Sequence, residues 1–321
     1  MTRHLLGAIA AITALAATPA LAQDYPKSAI TVVLPLAPGD AADSALRAMG
    51  EELARLLQVG ITVSNRPGAG GAIGTQAVVA AKNDGYTLLF TQNGPLTIRR
   101  VLEPQTVSYD PLKDLTPLAL TTRTPSILVV RKDAPYNNLR ELIEHAKKAP
   151  GNVRIGNAGA GSAGDISVQI INALAGVDMT SVPYKGAAPA LTDVLGGQVE
   201  GVVLGLGALN AHLRSGALKG IAISSRVPEL PQVPTLSELG YKQEIQGVWL
   251  AFFAPAGVSA EVTQVLMQAL ERSARHPAIT ARLQAMGIVQ DWVPGAQLAA
   301  EIVKETAAVT EIVKRMPVRK P

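Results

Sequence analysis

From residue 30 onward, apolar residues alternate between the spacing of strands and the spacing of helices. Residues 30–34 form a short, β-branched apolar run that predicts a buried strand. Residues 44–57 carry apolar side chains at helical spacing, and strand-like runs return at 61–63 and 86–90. This β-α-β-α-β order predicts an α/β unit with a mostly parallel sheet covered by helices.

The same alternation starts again after residue 131 and predicts a second α/β unit. Helical spacing at 139–149 is followed by a strand at 153–155 and by a helix over 165–174, which Asp165 is placed to cap. Another helix is expected over 187–195, where two glycines close it.

Two long extended stretches, 117–130 and 248–253, lie on either side of the second unit. We therefore predict a discontinuous first lobe (23–122 plus 250–321) and an inserted second lobe (123–249). Two segments that cross between lobes are typical of a hinged clamp, with the ligand in the cleft between them. In such α/β units the ligand is expected at loops that leave strands and enter helices.

The N-terminal segment has the order of a secretory signal peptide. A basic start at residues 1–4 precedes an apolar run at 5–17, and the small-residue site ALA at 20–22 stands before Gln23. The apolar run is too short to span a bilayer comfortably, so we expect cleavage after residue 22 and a periplasmic protein. An exported protein has little access to nicotinamide or nucleotide cofactors.

Composition narrows the chemistry further. The chain of 321 residues is 48% hydrophobic and 17% charged, which fits a globular protein with a large core. Its net charge of +4 comes from mixed charges, and basic pairs such as Arg99-Arg100 are scattered, so nucleic acid is not an expected partner. Zero Cys and four dispersed His give no pattern for a metal site, and we expect no cofactor.

Two glycine-rich loops stand where a ligand could bind. GAGSAG at 159–164 satisfies G-x-G-x-x-G between a strand and a helix. A dinucleotide loop, a tight structural turn and a small-anion site all fit it, since a helix N-terminus and free N–H groups attract any anion. The looser loop at 68–74 fits either a ligand role or packing near the cleft.

Ser162 gives a further alternative, because AGSAG at 160–164 is one residue short of the G-x-S-x-G nucleophile elbow. A secreted serine hydrolase would also need a later His, and only His212 and His276 follow. A hydrogen bond from Ser162 to a ligand is the competing interpretation.

The chain also resembles the extracytoplasmic solute receptors of tripartite tricarboxylate transporters, the Bug (Bordetella uptake gene) family. The resemblance covers nearly all of the chain after the signal peptide. Its motifs are NRPGAGGAIG (65–74), DGYTL (84–88), NGP (93–95), YDPLKD (109–114), VPYKGA (182–187), PALTDVLGGQV (189–199), PQVPT (231–235) and APAG (254–257).

The resemblance implies a type II periplasmic binding protein, a monomer without catalysis, that captures a small carboxylate and passes it to a two-subunit membrane permease. Such receptors hold the ligand through backbone amides, hydroxyls and waters. The ligand contacts are then expected in the first loop (Pro38, Gly39, Asp40, Ala41 and Asp43) and the second loop (Gly161, Ser162, Ala163 and Asp165), with Asn93 and Tyr184 as second-rank choices.

The sequence departs from the family pattern at three places. Asp40 and Ala41 replace glycines, Asp165 stands where a His is usual, and Leu204-Gly205 replace an Asp-Asn pair. Added carboxylates at an anion site would repel the ligand, so a zwitterion or an amide is an alternative to a plain carboxylate. The other interpretation is that Asp40 and Asp165 only cap their helices.

Overall fold

The computed structural model describes residues 25–39 and 41–315, and its strands form two separate sheets. The strands in chain order are β1 (Ile30–Leu34), β2 (Ile61–Asn65), β3 (Thr87–Gln92), β4 (Leu115–Thr124), β5 (Ser126–Arg131), β6 (Arg154–Asn157), β7 (Thr180–Pro183), β8 (Gly201–Gly205), β9 (Leu218–Ile223), β10 (Val248–Pro255) and β11 (Val289–Pro294). The predicted signal peptide, residues 1–22, lies outside the described residues.

Helices cover both sheets. They are α1 (Ala41–Leu57), α2 (Ala72–Val79), α3 (Arg99–Leu102), α4 (Leu139–Lys148), α5 (Ala163–Ala175), α6 (Ala187–Leu195), α7 (Leu206–Arg214), α8 (Ala260–Ala274), α9 (Pro277–Ala285) and α10 (Gly295–Arg315). A short π-helix, Gly94–Ile98, leads directly into α3. In the part of the chain that the structure describes, no helix is both long and apolar enough to cross a membrane.

The first lobe is built on a sheet with the strand order β11-β4-β10-β3-β1-β2. Strand β1 pairs in parallel with β2 and β3, whereas β10 is antiparallel to both β3 and β4. The second lobe has the order β7-β6-β8-β5-β9, with β6 parallel to β7 and β8. The predicted α/β class with two lobes is confirmed. The mostly parallel sheet predicted for the first unit is wrong, because β10 and β4 pair antiparallel in its other half and make the sheet mixed.

Two segments join the lobes, as predicted. The chain leaves the first sheet at Thr124, turns at Pro125 and enters the second sheet at Ser126. It returns after β9 through residues 224–247 and re-enters the first sheet at Val248, which pairs with Thr124. The predicted domain boundaries at 122/123 and 249/250 therefore fall inside β4 and β10.

Helix α10 packs against both lobes. Near its start, Leu298 and Ile302 are buried in a cluster with residues of β1, β3 and β10. Near its end, Val309 and Ile312 are buried with residues of β5, β6 and α5. One continuous helix thus spans the junction where the two crossing segments meet.

Candidate functional site

A cavity of about 440 Å³ lies between the two lobes. The first lobe contributes Leu36, Gly70, Gln92, Asn93, Gly94, Ile98, Arg99, Leu102 and Glu103. The second lobe contributes Ser126, residues 158–164, Gly186, Ala187, Val203, Leu204 and Gly205, and Val248 closes the cavity at the crossing segments. Loops that leave β3, β6 and β8 therefore supply most of its wall.

The second-lobe wall is the loop between β6 and α5. Buried Asn157 holds it: its Oδ1 accepts hydrogen bonds from Gly159 N at 3.0 Å and from Ser162 Oγ at 3.3 Å. Ser162 is the N-cap of α5, since its Oγ accepts from Asp165 N at 3.2 Å. The predicted helix start and cap at Asp165 are wrong, because the helix begins at Ala163 and the hydroxyl of Ser162, three residues before Asp165, caps it.

The first turn of α5 borders the cavity with free backbone donors. The first N–H groups of a helix have no acceptor inside it. Among the described residues the amides of Ala163 and Gly164 have no hydrogen-bond acceptor, and both residues line the cavity. The helix dipole adds about half a positive charge at the same end.

Asp165 is turned away from the cavity. Its side chain is 1% exposed. Oδ1 accepts a hydrogen bond from Ser181 Oγ at 2.6 Å, and Oδ2 accepts one from Gly161 N at 2.8 Å. The carboxylate thereby fixes the loop in which Gly161 and Ser162 lie, although Ser162 and not Asp165 is the N-cap of the helix.

The β1–α1 loop lies beside the cavity, and of its described residues Leu36 lines the wall. Pro38 and Gly39 are exposed to solvent. Asp43 is buried and accepts from Arg47, from Asn65 Nδ2 at 3.0 Å and from Gly39 N at 3.1 Å. The hydrogen bond from Arg47 lowers the pKa of Asp43 to about 2.

Of the other two predicted positions in the first loop, Asp40 lies outside the described residues and Ala41 is the first residue of α1. The second-rank choices differ from each other. Asn93 lines the cavity, whereas Tyr184 is not part of its lining and donates from its hydroxyl to Asp193 Oδ2 at 2.6 Å. Burial, with this hydrogen bond, raises the pKa of Tyr184 to about 12.

A buried carboxylate behind the cavity was not predicted. Glu305 Oε1 accepts from Asn93 Nδ2, Thr97 Oγ1 and Gln246 Nε2, each at 2.8 Å, and Oε2 accepts from Trp249 Nε1 at 2.6 Å. Burial raises the pKa of Glu305. This residue of α10 thus ties the end of β3 to the returning crossing segment.

Charged groups on the first-lobe wall were also missed. Arg99 and Glu103 both line the cavity, and Arg99 Nη2 donates to Glu103 Oε2 at 2.6 Å. The only hint in the sequence is the pair Arg99-Arg100, which has no pattern that separates it from surface charge.

The surroundings of Ser162 do not support the alternative of a serine hydrolase. Its hydroxyl donates to Asn157 and caps α5, and its described hydrogen-bond partners include no His. His212 lies on α7 and His276 precedes α9, and neither lines the cavity. Across the described residues no cluster of His, Asp and Glu could hold a metal ion.

Two α/β lobes, two crossing segments and a cavity between them define a solute-binding receptor of the periplasmic type. The chain belongs to the tripartite tricarboxylate transporter receptor family (TctC), whose sequence model matches residues 45–317. The family resemblance of the sequence is therefore confirmed, and receptors of this family are periplasmic proteins that bind solutes.

Individual relatives agree with this assignment. The chain is 33% identical to BugT of Bordetella pertussis over 292 residues, which cover 89% of each protein. The structure of MatC from Rhodopseudomonas palustris with bound malate is similar at a TM-score of 0.75, with 31% identity, and covers 90% of this chain and 100% of that one. R. palustris Rpa4515 with adipate is similar at a TM-score of 0.78, with 28% identity and coverage of 91% and 98%.

Proposed function

We propose that this protein is exported to the periplasm, loses residues 1–22, captures a small carboxylate between its lobes as a monomer and delivers it to a two-subunit membrane permease. The first turn of α5 carries this proposal. Its free amides of Ala163 and Gly164 and the positive end of the helix face a cavity suited to a small ligand.

The charge on the second-lobe wall favours an anion. Within the described lining, this wall has no charged side chain: Asp165 is turned into the loop, and Leu204 and Gly205 are uncharged. Asp165 therefore does not repel a carboxylate ligand, which was the reason for considering a zwitterion or an amide. A carboxylate placed at the start of α5 would meet donors instead of like charge.

The relatives point to the same ligand class. The similar structures hold malate and adipate, both of which are small dicarboxylates. The cavity volume of about 440 Å³ lies in the lower part of the range of about 300–1,000 Å³ that is usual for small-molecule sites. We propose that the ligand of this protein belongs to the same chemical class.

The proposed binding involves no chemical step. Family and fold are those of solute-binding receptors, and the hydroxyl of Ser162 serves as a helix cap and a donor to Asn157. The Ser162→Ala variant should therefore bind more weakly, whereas a hydrolase would lose ester turnover.

The full chain, expressed with its own N-terminal segment in a Gram-negative host, tests the proposal. The protein recovered from the periplasm should have the mass of residues 23–321. Isothermal titration calorimetry should then detect binding of malate or adipate, and weaker or no binding of glutamine, alanine and NAD. A protein that stays in the cytoplasm and keeps residues 1–22 would contradict the proposal. So would a protein that binds an amine-bearing compound tightly but binds no dicarboxylate.

A further inference from the structure

We infer that Arg99 selects dicarboxylates by binding the second carboxylate of the ligand, and that the carboxylate of Glu103 competes with the ligand for Arg99. The inference rests on the proposed function and extends it, because it names the residue that separates diacids from monoacids. In the proposed function the first carboxylate of the ligand lies at the start of α5 in the second lobe, and Arg99 lies in the wall that the first lobe contributes.

The position of Arg99 depends on a glycine. Gly70, which also lines the cavity, has a φ of 59°, and a Cβ built on it would overlap Arg99 Nη1. The guanidinium therefore lies over bare backbone of the glycine-rich loop at 65–74. Two features therefore explain the glycine at position 70: its left-handed backbone conformation and the space that the Arg99 guanidinium occupies.

The guanidinium has donors to spare. Arginine carries five N–H donors, and Nη2 alone contacts Glu103. Arg99 Nε is buried, so the donors left for a ligand are those of Nη1 and the second N–H of Nη2. A planar guanidinium with unused donors on a cavity wall is suited to a second, bidentate carboxylate.

Glu103 can leave this position at little cost. The Arg99 and Glu103 side chains are 25% and 39% exposed, and ion pairs with that exposure contribute little to folding. Besides Arg99, only a weak contact holds this carboxylate among the described residues: Thr106 Oγ1 lies 3.4 Å from Glu103 Oε2 and donates its proton to the Glu103 carbonyl at 2.9 Å. A ligand carboxylate in the same place would gain a charge-assisted hydrogen bond inside the cavity. Glu103 is thus a competitor that the ligand displaces.

The neighbouring residue supplies a matched control. Arg100 lies next to Arg99 on α3 but pairs with Asp110 at 3.4 Å and lines a different surface groove with residues of α10. Arg100→Gln removes the same charge from the same helix without touching the cavity. Any loss of affinity that follows from net charge alone should appear in this variant too.

The test compares adipate with hexanoate, which differ by one carboxylate, and repeats the comparison with malate. By calorimetry, Arg99→Gln should weaken adipate binding by about ten-fold or more and leave hexanoate within about two-fold. Glu103→Gln should strengthen adipate binding by about three-fold or more, since the competing charge is gone. Arg100→Gln should leave both affinities unchanged. The melting temperature of each variant shows that it is folded.

The outcomes separate the inference from the proposed function. Suppose that the wild-type protein binds adipate or malate, and that Arg99→Gln weakens binding of the diacid and the monoacid equally or leaves both unchanged. The role of Arg99 is then overturned and the proposed function stands. If the wild-type protein binds no carboxylate, the proposed function fails, and the inference fails with it.

Discussion

The contact between α5 and the second sheet can be tested at Gly164. This residue lines the cavity in the first turn of α5, where the helix crosses β6 and β8. A Cβ at this position would overlap the carbonyl oxygen of Val203 and would lie 2.9 Å from Asn157 Cβ. Because the main obstacle is backbone, Gly164→Ala can be accommodated only if the start of α5 moves away from the sheet.

The size of the effect follows from two opposing terms. Inserting a methyl group into a packed interface costs about 1–3 kcal/mol, and the better helix propensity of alanine returns up to about 1 kcal/mol. A net loss of about 1–2 kcal/mol should lower the melting temperature by about 2–6 °C. The same movement displaces the amides of Ala163 and Gly164, so malate or adipate should bind about ten-fold more weakly or worse.

Differential scanning calorimetry and isothermal titration on the purified protein measure the two effects. Gly94→Ala is the matched control: Gly94 also lines the cavity, but its added Cβ would meet only Gln92 Nε2, at 3.9 Å. That variant should keep its melting temperature or gain slightly. If Gly164→Ala melts and binds like the wild type, the close approach of α5 to the sheet is not as described.

Three further predictions concern polar side chains that do not line the cavity. Asp165→Asn should cost about 1–3 kcal/mol in urea unfolding, because its bonds to Gly161 N and Ser181 lose their charge; an unchanged midpoint would contradict this. Since the pKa of Glu305 is raised in the folded protein, its contribution to stability is complete below the unfolded pKa of about 4.5 and falls as pH rises through the folded value. The stability difference between wild type and Glu305→Gln, from urea unfolding at several pH values, should therefore shrink from pH 4.5 upward, and a constant difference would refute it. Tyr184→Phe should cost up to about 1 kcal/mol in the same assay and leave ligand affinity unchanged, and weaker binding would show that the ring reaches the ligand.

Local patterns predicted most of the elements. The β-branched run at 30–34 is β1 with the same bounds, and the helix predicted over 187–195 is α6. In these segments the apolar residues that define the element and the residues that end it lie within a few positions of each other. By contrast α9 was missed, although Pro277 stands at its first position, where proline commonly begins a helix.

The site was only partly predictable, because its polar partners are distant in sequence. Gly161, Ser162 and Ala163 were found from the glycine motif, and all line the cavity. Glu305 meets Asn93 across 212 positions, so no local pattern connects them. The direction of the Asp165 carboxylate depends on Ser181, which pairing of β7 with β6 brings close.

A crystal structure of the protein grown with malate or adipate tests the central claim most directly. Ligand density is expected in the cavity between the lobes, with one carboxylate within hydrogen-bond distance of the Ala163 and Gly164 amides. Density for the diacid at any other surface, with the start of α5 unoccupied at saturating ligand, would contradict it.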